Sequence, residues 1–215
     1  MWYSHEWQER NGKPAVTRDA VFPIADPQYE PLAGQYLIKR GLSYELAQQN
    51  GWYASCHAGD QIPRLVIPAV RSDGKVYWQA RALTSEVLPR YQSPPGSRGD
   101  AIVRVAPQHD WGDYAVVTEG PLDALAAAEL GFDAFALMGN KPNDTILKHL
   151  LSWLHLKRRT YLIADSDALF EATQTTMWLR GRWPGRTYLW LPYPYKDLAA
   201  MPKAERAERL GKFAR

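Results

Sequence analysis

Short apolar runs alternate with longer helix-like segments along the second half of the chain. The runs have strand length, and the segments between them carry large apolar residues at the spacing of an amphipathic helix. This pattern predicts strands at 114–118, 134–138, 160–164 and 187–191, and helices at 121–130, 144–155 and 168–182. Such alternation is typical of an α/β layer with a mostly parallel sheet and flanking helices.

The first half has a different pattern. Residues 31–51 predict two short helices that break at Gly41, and residues 64–81 predict a hairpin with an Asp-Gly turn. Residues before them predict a peripheral arm or hairpin. The sequence therefore predicts four parts, which are an arm at 1–30, a smaller α+β basic subdomain at 31–107, an α/β domain at 108–200 and a C-terminal helix at 201–215. We expect that last helix to be solvated, with docking through Leu210 and Phe213 as the alternative.

Composition narrows the class of protein. A hydrophobic fraction of 46% over 215 residues can bury a sizeable core, and a net charge of +3 is too small to indicate nucleic-acid binding. The single cysteine, Cys56, excludes an internal disulfide and a thiolate-rich zinc finger, so we expect no zinc. Without a secretory leader or a long apolar run, we expect a cytoplasmic protein with no membrane contact.

Three acidic residues follow predicted strands directly. Glu119 follows the apolar run at 115–118, and Asp165 and Asp167 follow the run at 161–164. In open α/β sheets the usable crevice lies beyond the carboxyl ends of the strands, so these carboxylates are expected to meet there. Their oxygens suit a hard cation, with Mg²⁺ the natural ion and Mn²⁺ its common substitute.

A plainer alternative is helix capping. Asp165 can cap the helix that begins near residue 168, and Glu119 can cap the helix at 121–130. Asp123 lies in the first turn of the latter helix, where it can interact with the helix dipole or face the same crevice. Any one acid taken alone fits capping about as well as metal binding, but the combination favours a metal site.

Four segments resemble the Toprim domain, which primases, type IA and II topoisomerases and some nucleases share. They are EGPLDAL at 119–125, LMGN at 137–140, DSD at 165–167, and LP leading to KD at 191–197. The resemblance implies a Rossmann-like sheet, with Glu119 as acid/base or metal-linked residue and the Asp165 and Asp167 pair on magnesium. It adds Asp197 as a metal ligand and Gly139 and Asn140 as supporting residues.

The first half resembles the polymerase core of DnaG-type bacterial and phage primases. The segments that carry the likeness are YLIKRGLS at 36–43, RLVIP at 64–68, QARAL at 79–83 and PRYQSP at 89–94. The resemblance implies that Arg64, Arg81, Arg90 and Lys196 bind nucleotide or template, and guanidinium groups can fork onto phosphate oxygens. Without the resemblance, each arginine is better explained as a solvated strand residue.

The two resemblances together imply a primase-type RNA polymerase that makes short RNA primers on single-stranded DNA during replication. Nucleoside triphosphates, a DNA template and a replicative helicase or separate initiation factor are the implied partners, in a bacterial or phage-infected cell. Where the family has a further acid two places after Asp197, this chain has Ala199. A non-catalytic DNA-binding adaptor and a Toprim nuclease therefore stay as alternatives.

Two further sets of residues invite functional readings. Aromatic residues at 178–195 lie among basic ones and could stack on bases, but core or interface packing is the better explanation. Cys56 and His57 are adjacent and lack a second pair of ligands, so the sequence favours a structural role for both.

Overall fold

The computed structural model describes residues 21–96, 98–109, 112–139, 141–183 and 186–213. The first part of the chain forms two helices followed by a four-stranded antiparallel sheet with strand order β1-β2-β3-β4. The elements are α1 (Glu30–Ile38), α2 (Tyr44–Gln49), β1 (Tyr53–Ser55), β2 (Arg64–Val70), β3 (Val76–Ala82) and β4 (Tyr91–Gln92). The predicted helix pair is confirmed. Of the predicted arm, residues 1–20 lie outside the described residues.

The predicted hairpin is confirmed in strands β2 and β3. Leu65 lies opposite Arg81, and the strands pair from Arg64 to Val70. Gly74 has a φ of +74° in the turn, a conformation that glycine adopts without a steric penalty. Oδ1 of Asp73 accepts a hydrogen bond from the backbone N–H of Lys75 at 3.0 Å, which closes the turn.

The second part is a five-stranded sheet with strand order β5-β7-β6-β8-β9. Only the edge strand β5 runs antiparallel to its neighbour, so the predicted mostly parallel α/β sheet is confirmed. The elements are β5 (Val103–Val105), β6 (Tyr114–Thr118), α3 (Pro121–Ala128), β7 (Asp133–Ala136), α4 (Asp144–Leu154), β8 (Arg159–Ile163), α5 (Leu169–Arg182), β9 (Thr187–Trp190) and α6 (Lys203–Gly211). Among the described helices, none combines the length and apolar character needed to cross a bilayer.

Strand β6 is buried on both faces, as the central strand of a covered parallel sheet should be. Val116 packs into an apolar cluster with residues of α3, and its neighbour Val117 packs into a second cluster with residues of α4 and α5. Asn143 caps α4, because its Oδ1 accepts a hydrogen bond from the backbone N–H of Ile146 at 2.9 Å. Helices on both faces thus hold the strand ends in fixed positions.

The two sheets are joined through backbone and core. Val70 at the end of β2 pairs with Ile102 in both directions, at N···O distances of 2.7 and 2.9 Å. Leu65 and Ile67 of the first sheet share one apolar cluster with Val116 of the second. Strand β5 precedes the proposed boundary near residue 108 yet belongs to the five-stranded sheet.

The prediction of a solvated C-terminal helix is wrong for one face of α6. Leu210 is fully buried in the main apolar cluster, and the Phe213 ring stacks on Tyr161 with centroids 4.3 Å apart. Arg206 is buried as well, and its Nη2 donates to the carbonyl oxygen of Gly41 at 2.7 Å. The few apolar residues of the helix lie on one side, and that side packs against the main apolar cluster.

Candidate active site

The register of the central strands brings two predicted acids together. Thr118 of β6 lies opposite Ile163 of β8 in parallel pairing, so the residues after both strands leave the sheet side by side. The Glu119 carboxylate turns toward the neighbouring loop, where its Oε1 accepts from the backbone N–H of Asp165 at 3.3 Å. Both side chains therefore sit at the carboxyl edge of the sheet, in the predicted crevice.

The loop after β9 completes the acidic side. The backbone N–H of Ser166 donates to the carbonyl oxygen of Lys196 at 2.8 Å, which fixes this loop beside the one after β8. Nζ of Lys196 lies 3.8 Å from Oδ2 of Asp167, and both side chains are largely exposed. In this arrangement the carboxylate oxygens of Glu119, Asp165 and Asp167 are not all within 4.8 Å of one another. Asp167 lies at the exposed rim beside Lys196.

A cavity of about 430 Å³ opens at this edge, between the two sheets. Its acidic lining comes from the five-stranded half and its basic lining mainly from the first half. The acidic residues are Glu119, Asp123, Asp165 and Asp197, and the basic residues are Arg40, Arg81, Arg90 and Lys196. Such a cavity can hold a divalent cation on one side and phosphate oxygens on the other.

Asp123 is buried beneath the cavity. Its Oδ1 accepts from the backbone N–H of Ala199 at 2.8 Å, so it holds the loop after β9 in place. Burial, together with the charge of Asp197, raises the pKa of Asp123 to about 7. A Cβ at Gly120 would lie 3.0 Å from Oδ2 of Asp123, so this close approach favours glycine.

Burial and repulsion by neighbouring carboxylates also raise the pKa values of Glu119 and Asp165. Burial and the Asp165 charge raise the pKa of Glu119 to about 7. Burial and the charge of Asp197 raise the pKa of Asp165. Gly120 and Ala168 are the N-cap residues of α3 and α5, and neither helix has a side-chain N-cap hydrogen bond. Helix capping therefore does not explain Glu119 or Asp165. Unneutralised carboxylates of this kind are stabilised by a cation.

These residues fit Mg²⁺ or Mn²⁺. Every acidic donor in the cavity is a carboxylate oxygen, which suits a hard ion that keeps part of its water shell. Glu119, Asp165 and Asp197 are the lining residues that would hold it. Their carboxylate oxygens are not all within 4.8 Å of one another in this structure, so the side chains would turn toward the ion on binding, and Asp167 could join them from the rim. Burial and repulsion between carboxylates raise the pKa values of Glu119 and Asp165, and a bound cation would offset both effects.

Aromatic side chains position the basic wall. Nε of Arg81 donates to the Tyr36 hydroxyl at 3.0 Å, and its guanidinium lies over the Tyr91 ring, 4.7 Å from the centroid. The Arg40 guanidinium lies over the Tyr36 ring at 4.8 Å. Arg90 is exposed at the mouth. These contacts orient planar donors toward the cavity while leaving other N–H groups of Arg81 available to a ligand.

Arg64 corrects the sequence analysis. Its side chain is fully buried, and its Nη2 pairs with Oδ2 of Asp60 at 2.6 Å. Its Nη1 donates to the carbonyl oxygens of Ala80 at 3.3 Å and Pro89 at 3.1 Å. Hydrogen bonds to its own subdomain therefore occupy this guanidinium, and it does not line the cavity. Contrary to the sequence-based expectation, the Arg64 guanidinium is therefore not placed where it could contact a nucleotide or template in this cavity.

The loop after β7 contains predicted and unpredicted residues. Gly139 lines the cavity with a φ of +150°, and its N–H donates to the carbonyl oxygen of Glu119 at 3.2 Å. Asn140 lies outside the described residues. Sequence reasoning missed Arg98, whose Nη1 donates to the carbonyl oxygens of Leu137 at 3.0 Å and Met138 at 2.6 Å. No sequence pattern pointed to Arg98, because it lies in the Pro/Gly/Ser-rich segment between the two halves of the chain.

Solved structures with a similar fold include DNA primases. The primase fragment of the bacteriophage T7 primase-helicase protein has a TM-score of 0.65 at 17% identity, and the match covers 97% of this chain and 84% of that one. The Aquifex aeolicus primase, with zinc-binding and RNA polymerase domains, has 0.63 at 20%, covering 85% and 55%. A DnaG primase catalytic domain bound to ssDNA has 0.60 at 18%, covering 96% and 76%.

No protein-family model and no curated protein matches the sequence. The likeness therefore rests on the arrangement of both sheets and their helices, which the T7 fragment shares over nearly the whole of this chain. The chain has the fold of DnaG-type primase catalytic domains.

Proposed function

We propose that this chain is a DNA primase-type RNA polymerase core, a nucleotidyltransferase that makes short RNA primers on single-stranded DNA. One observation carries the proposal. The carboxyl ends of two paired parallel strands bring Glu119 and Asp165 into the same cavity that Arg81, Arg90 and Lys196 line from other segments. The α/β half corresponds to the Toprim domain in this proposal.

The reaction joins two nucleotides. The 3′-hydroxyl oxygen of one nucleotide forms a bond to the α-phosphorus of a triphosphate, the bond from that phosphorus to the bridging oxygen breaks, and pyrophosphate leaves with the electron pair. Arg81 and Arg90 offer N–H donors to the triphosphate, and Lys196 offers a mobile charge at the rim. The Glu119 carboxylate lines the same cavity, where it can accept the hydroxyl proton.

The acidic residues serve a cation in this proposal. Glu119, Asp165 and Asp197 would hold Mg²⁺, with Asp167 joining them. Bound there, Mg²⁺ supplies charge that polarises phosphoryl oxygens and offsets negative charge on the leaving pyrophosphate. Asp123 positions the loop that carries Asp197, through its hydrogen bond with Ala199.

The template is proposed to be single-stranded DNA, which one similar DnaG catalytic domain is described as binding. Arg40 and Lys39 line a second basic cavity of about 540 Å³ that adjoins the first through Arg81 and Arg90. A strand along this surface would have its phosphates neutralised by exposed basic residues. A helicase or separate initiation factor is a proposed partner, because the similar T7 fragment comes from a primase-helicase. We propose action in the cytoplasm of a bacterial or phage-infected cell.

Primer synthesis tests the proposal. The full chain is incubated with single-stranded DNA, labelled ribonucleoside triphosphates and Mg²⁺, and the RNA products are separated by length. We expect the Asp165→Ala/Asp167→Ala variant to lose at least about a hundredfold in rate, since both acids serve the reacting phosphate. The matched control is Glu208→Gln, an exposed acid on α6 far from the cavity.

The same assay separates the alternatives. Tight binding of single-stranded DNA with no metal-dependent synthesis would indicate an adaptor, for which the missing acid at Ala199 is the motivating observation. Metal-dependent shortening of the DNA without nucleotide incorporation would indicate a Toprim nuclease. Equal synthesis by the double variant and the parent would contradict the proposed carboxylate site.

A further inference from the structure

A second cluster of metal-ligand side chains lies away from the cavity. Residues 23–26 run beside strand β1 and are hydrogen bonded to it. The backbone N–H of Asp26 donates to Ala54 at 2.9 Å, and Oγ of Ser55 donates to the carbonyl oxygen of Ile24 at 2.7 Å. This pairing brings the Asp26 side chain to the end of β1, where Cys56 and His57 follow.

The three side chains converge closely. Sγ of Cys56 donates a hydrogen bond to Oδ2 of Asp26 at 3.2 Å and lies 3.6 Å from Nε2 of His57, so an ion would replace the thiol proton between these groups. One ligand atom from each of the three lies within 4.8 Å of the other two, and no other set of three or more His, Cys, Asp and Glu residues in the described ranges does so. From the sequence we expected no zinc and a structural role for Cys56 and His57, because nothing in the pattern links Asp26 to a cysteine thirty positions away.

These spacings match a tetrahedral metal site. Zinc binds a thiolate at about 2.3 Å and an imidazole or carboxylate at about 2.0–2.1 Å, which places such ligand atoms about 3.5 Å apart at a tetrahedral angle. The measured 3.2 and 3.6 Å lie close to that value. An ion could therefore be held with small side-chain adjustments, and the half-buried Asp26 and Cys56 beside the exposed His57 leave an open path from solvent.

We propose that Asp26, Cys56 and His57 form a binding site for a divalent transition-metal ion of the zinc class. Thiolate and imidazole donors favour Zn²⁺ or Co²⁺ over Mg²⁺, which prefers oxygen ligands. On binding, the Cys56 thiol releases its proton to solvent and the thiolate sulfur takes its place on the metal. Water fills the fourth position. The proposal does not depend on the proposed function, since the site shares no residue with the cavity.

The ion would tie the N-terminal segment to the first sheet. Without it, residues 23–26 are held by their hydrogen bonds to β1 and to Tyr53, whose hydroxyl donates to the carbonyl oxygen of Pro23 at 2.7 Å. Three further bonds through one ion would cross-link Asp26 to the end of β1. Because the ion binds the folded arrangement, its addition should raise the thermal midpoint of the full chain.

Cobalt titration tests the site. The metal-free full chain is titrated with Co²⁺ under reducing conditions and followed by absorption, since cobalt bound to a thiolate gives a charge-transfer band. We expect one equivalent to bind with that band, Zn²⁺ to displace it and millimolar Mg²⁺ to leave it unchanged. Asp26→Asn and His57→Gln should each weaken Co²⁺ binding at least about tenfold, and Cys56→Ser should abolish the band.

The control is His155→Gln, which replaces another exposed histidine and should bind Co²⁺ as the parent does. A rise in thermal midpoint with Zn²⁺ in the parent and in His155→Gln, absent in Cys56→Ser, would support the site independently. Parent-like Co²⁺ affinity in both Asp26→Asn and His57→Gln would overturn it, because the metal would then be bound by the cysteine alone. Absence of the band in the parent would overturn it as well.

Discussion

The Glu119 carboxylate accepts a hydrogen bond from the backbone N–H of Asp165, with Oε1 and N 3.3 Å apart. The contact follows from the parallel register of Thr118 and Ile163, the last residues of β6 and β8. Its consequence is electrostatic, because two carboxylates from different loops share one half-buried place. A cation that neutralises them should therefore compete with protons for the same oxygens.

Magnesium affinity should rise with pH. The pKa of Glu119 is raised to about 7, so below that value Mg²⁺ must displace a proton and above it the site is already ionised. We expect the affinity to increase by up to about tenfold per pH unit below pH 7 and to level off above it. Calorimetric titration of the full chain at pH 6, 7 and 8 measures this. Glu119→Gln should bind more weakly with a flatter pH dependence, and equal parent affinity at pH 6 and 8 would contradict the assignment.

The buried Asp123 should make the apo protein less stable as pH rises. Its pKa is about 7 in the folded state and near the ordinary aspartate value of 3.8 in the unfolded state, so the folded state binds the extra proton between these values. The free energy of unfolding should then fall from pH 4 to pH 7, by on the order of a few kcal/mol, and stay level above. Urea denaturation with chelator present measures it. Asp123→Asn should remove the part of this slope that Asp123 contributes and leave the part from Glu119, whose pKa is also raised to about 7. The exposed-site control Asp113→Asn should retain the whole slope.

Two arginines from the same subdomain should behave oppositely. Arg64→Met removes a fully buried partner of Asp60 and a donor to the carbonyl oxygens of Ala80 and Pro89, so we expect a loss of about 3 kcal/mol in unfolding free energy. Arg90→Ala changes an exposed side chain and should alter stability by less than about 0.5 kcal/mol. Denaturation curves compare the two. A stable Arg64→Met variant would return Arg64 to the list of ligand-binding candidates.

Binding of single-stranded DNA should weaken with salt. Each phosphate neutralised by a basic side chain contributes a slope of about −0.7 in log affinity against log salt. Removal of Arg90 or Arg40, both exposed at the cavities, should weaken binding and lower the slope by about that amount. Fluorescence anisotropy with a labelled oligonucleotide at several salt concentrations gives both values. An unchanged slope in both variants would show that DNA does not follow this wall.

The five-stranded sheet could be predicted from the sequence because its buried strands are recognisable as apolar runs separated by helices. An apolar run that is buried on both faces, such as 114–118, can be recognised from its own residues, and parallel strands bring their carboxyl ends together. Glu119 and Asp165 could therefore be placed before the fold was known. The prediction held because it depended on local pattern and on one general rule of α/β sheets.

The sequence could not predict where individual side chains would point. Arg64 and Arg81 occupy adjoining strands with similar neighbours, yet one is enclosed with Asp60 and the other reaches the cavity. Their difference depends on which face of the sheet is covered, and that is decided by the whole tertiary arrangement. For the same reason, the docking of Leu210 could be stated only as the alternative to a solvated helix, because a short charged helix carries too few apolar residues to indicate a partner surface.

The backbone bridge between Val70 and Ile102, with the apolar cluster common to both sheets, limits how the cleft can work. A hinge motion that separated the two sheets would expose Leu65 and Val116 to water, at a large cost in hydrophobic free energy. Substrates must instead enter and leave through an opening whose width the folded core has already set. Adjustment is left to the long side chains at the rim, such as those of Arg90 and Lys196.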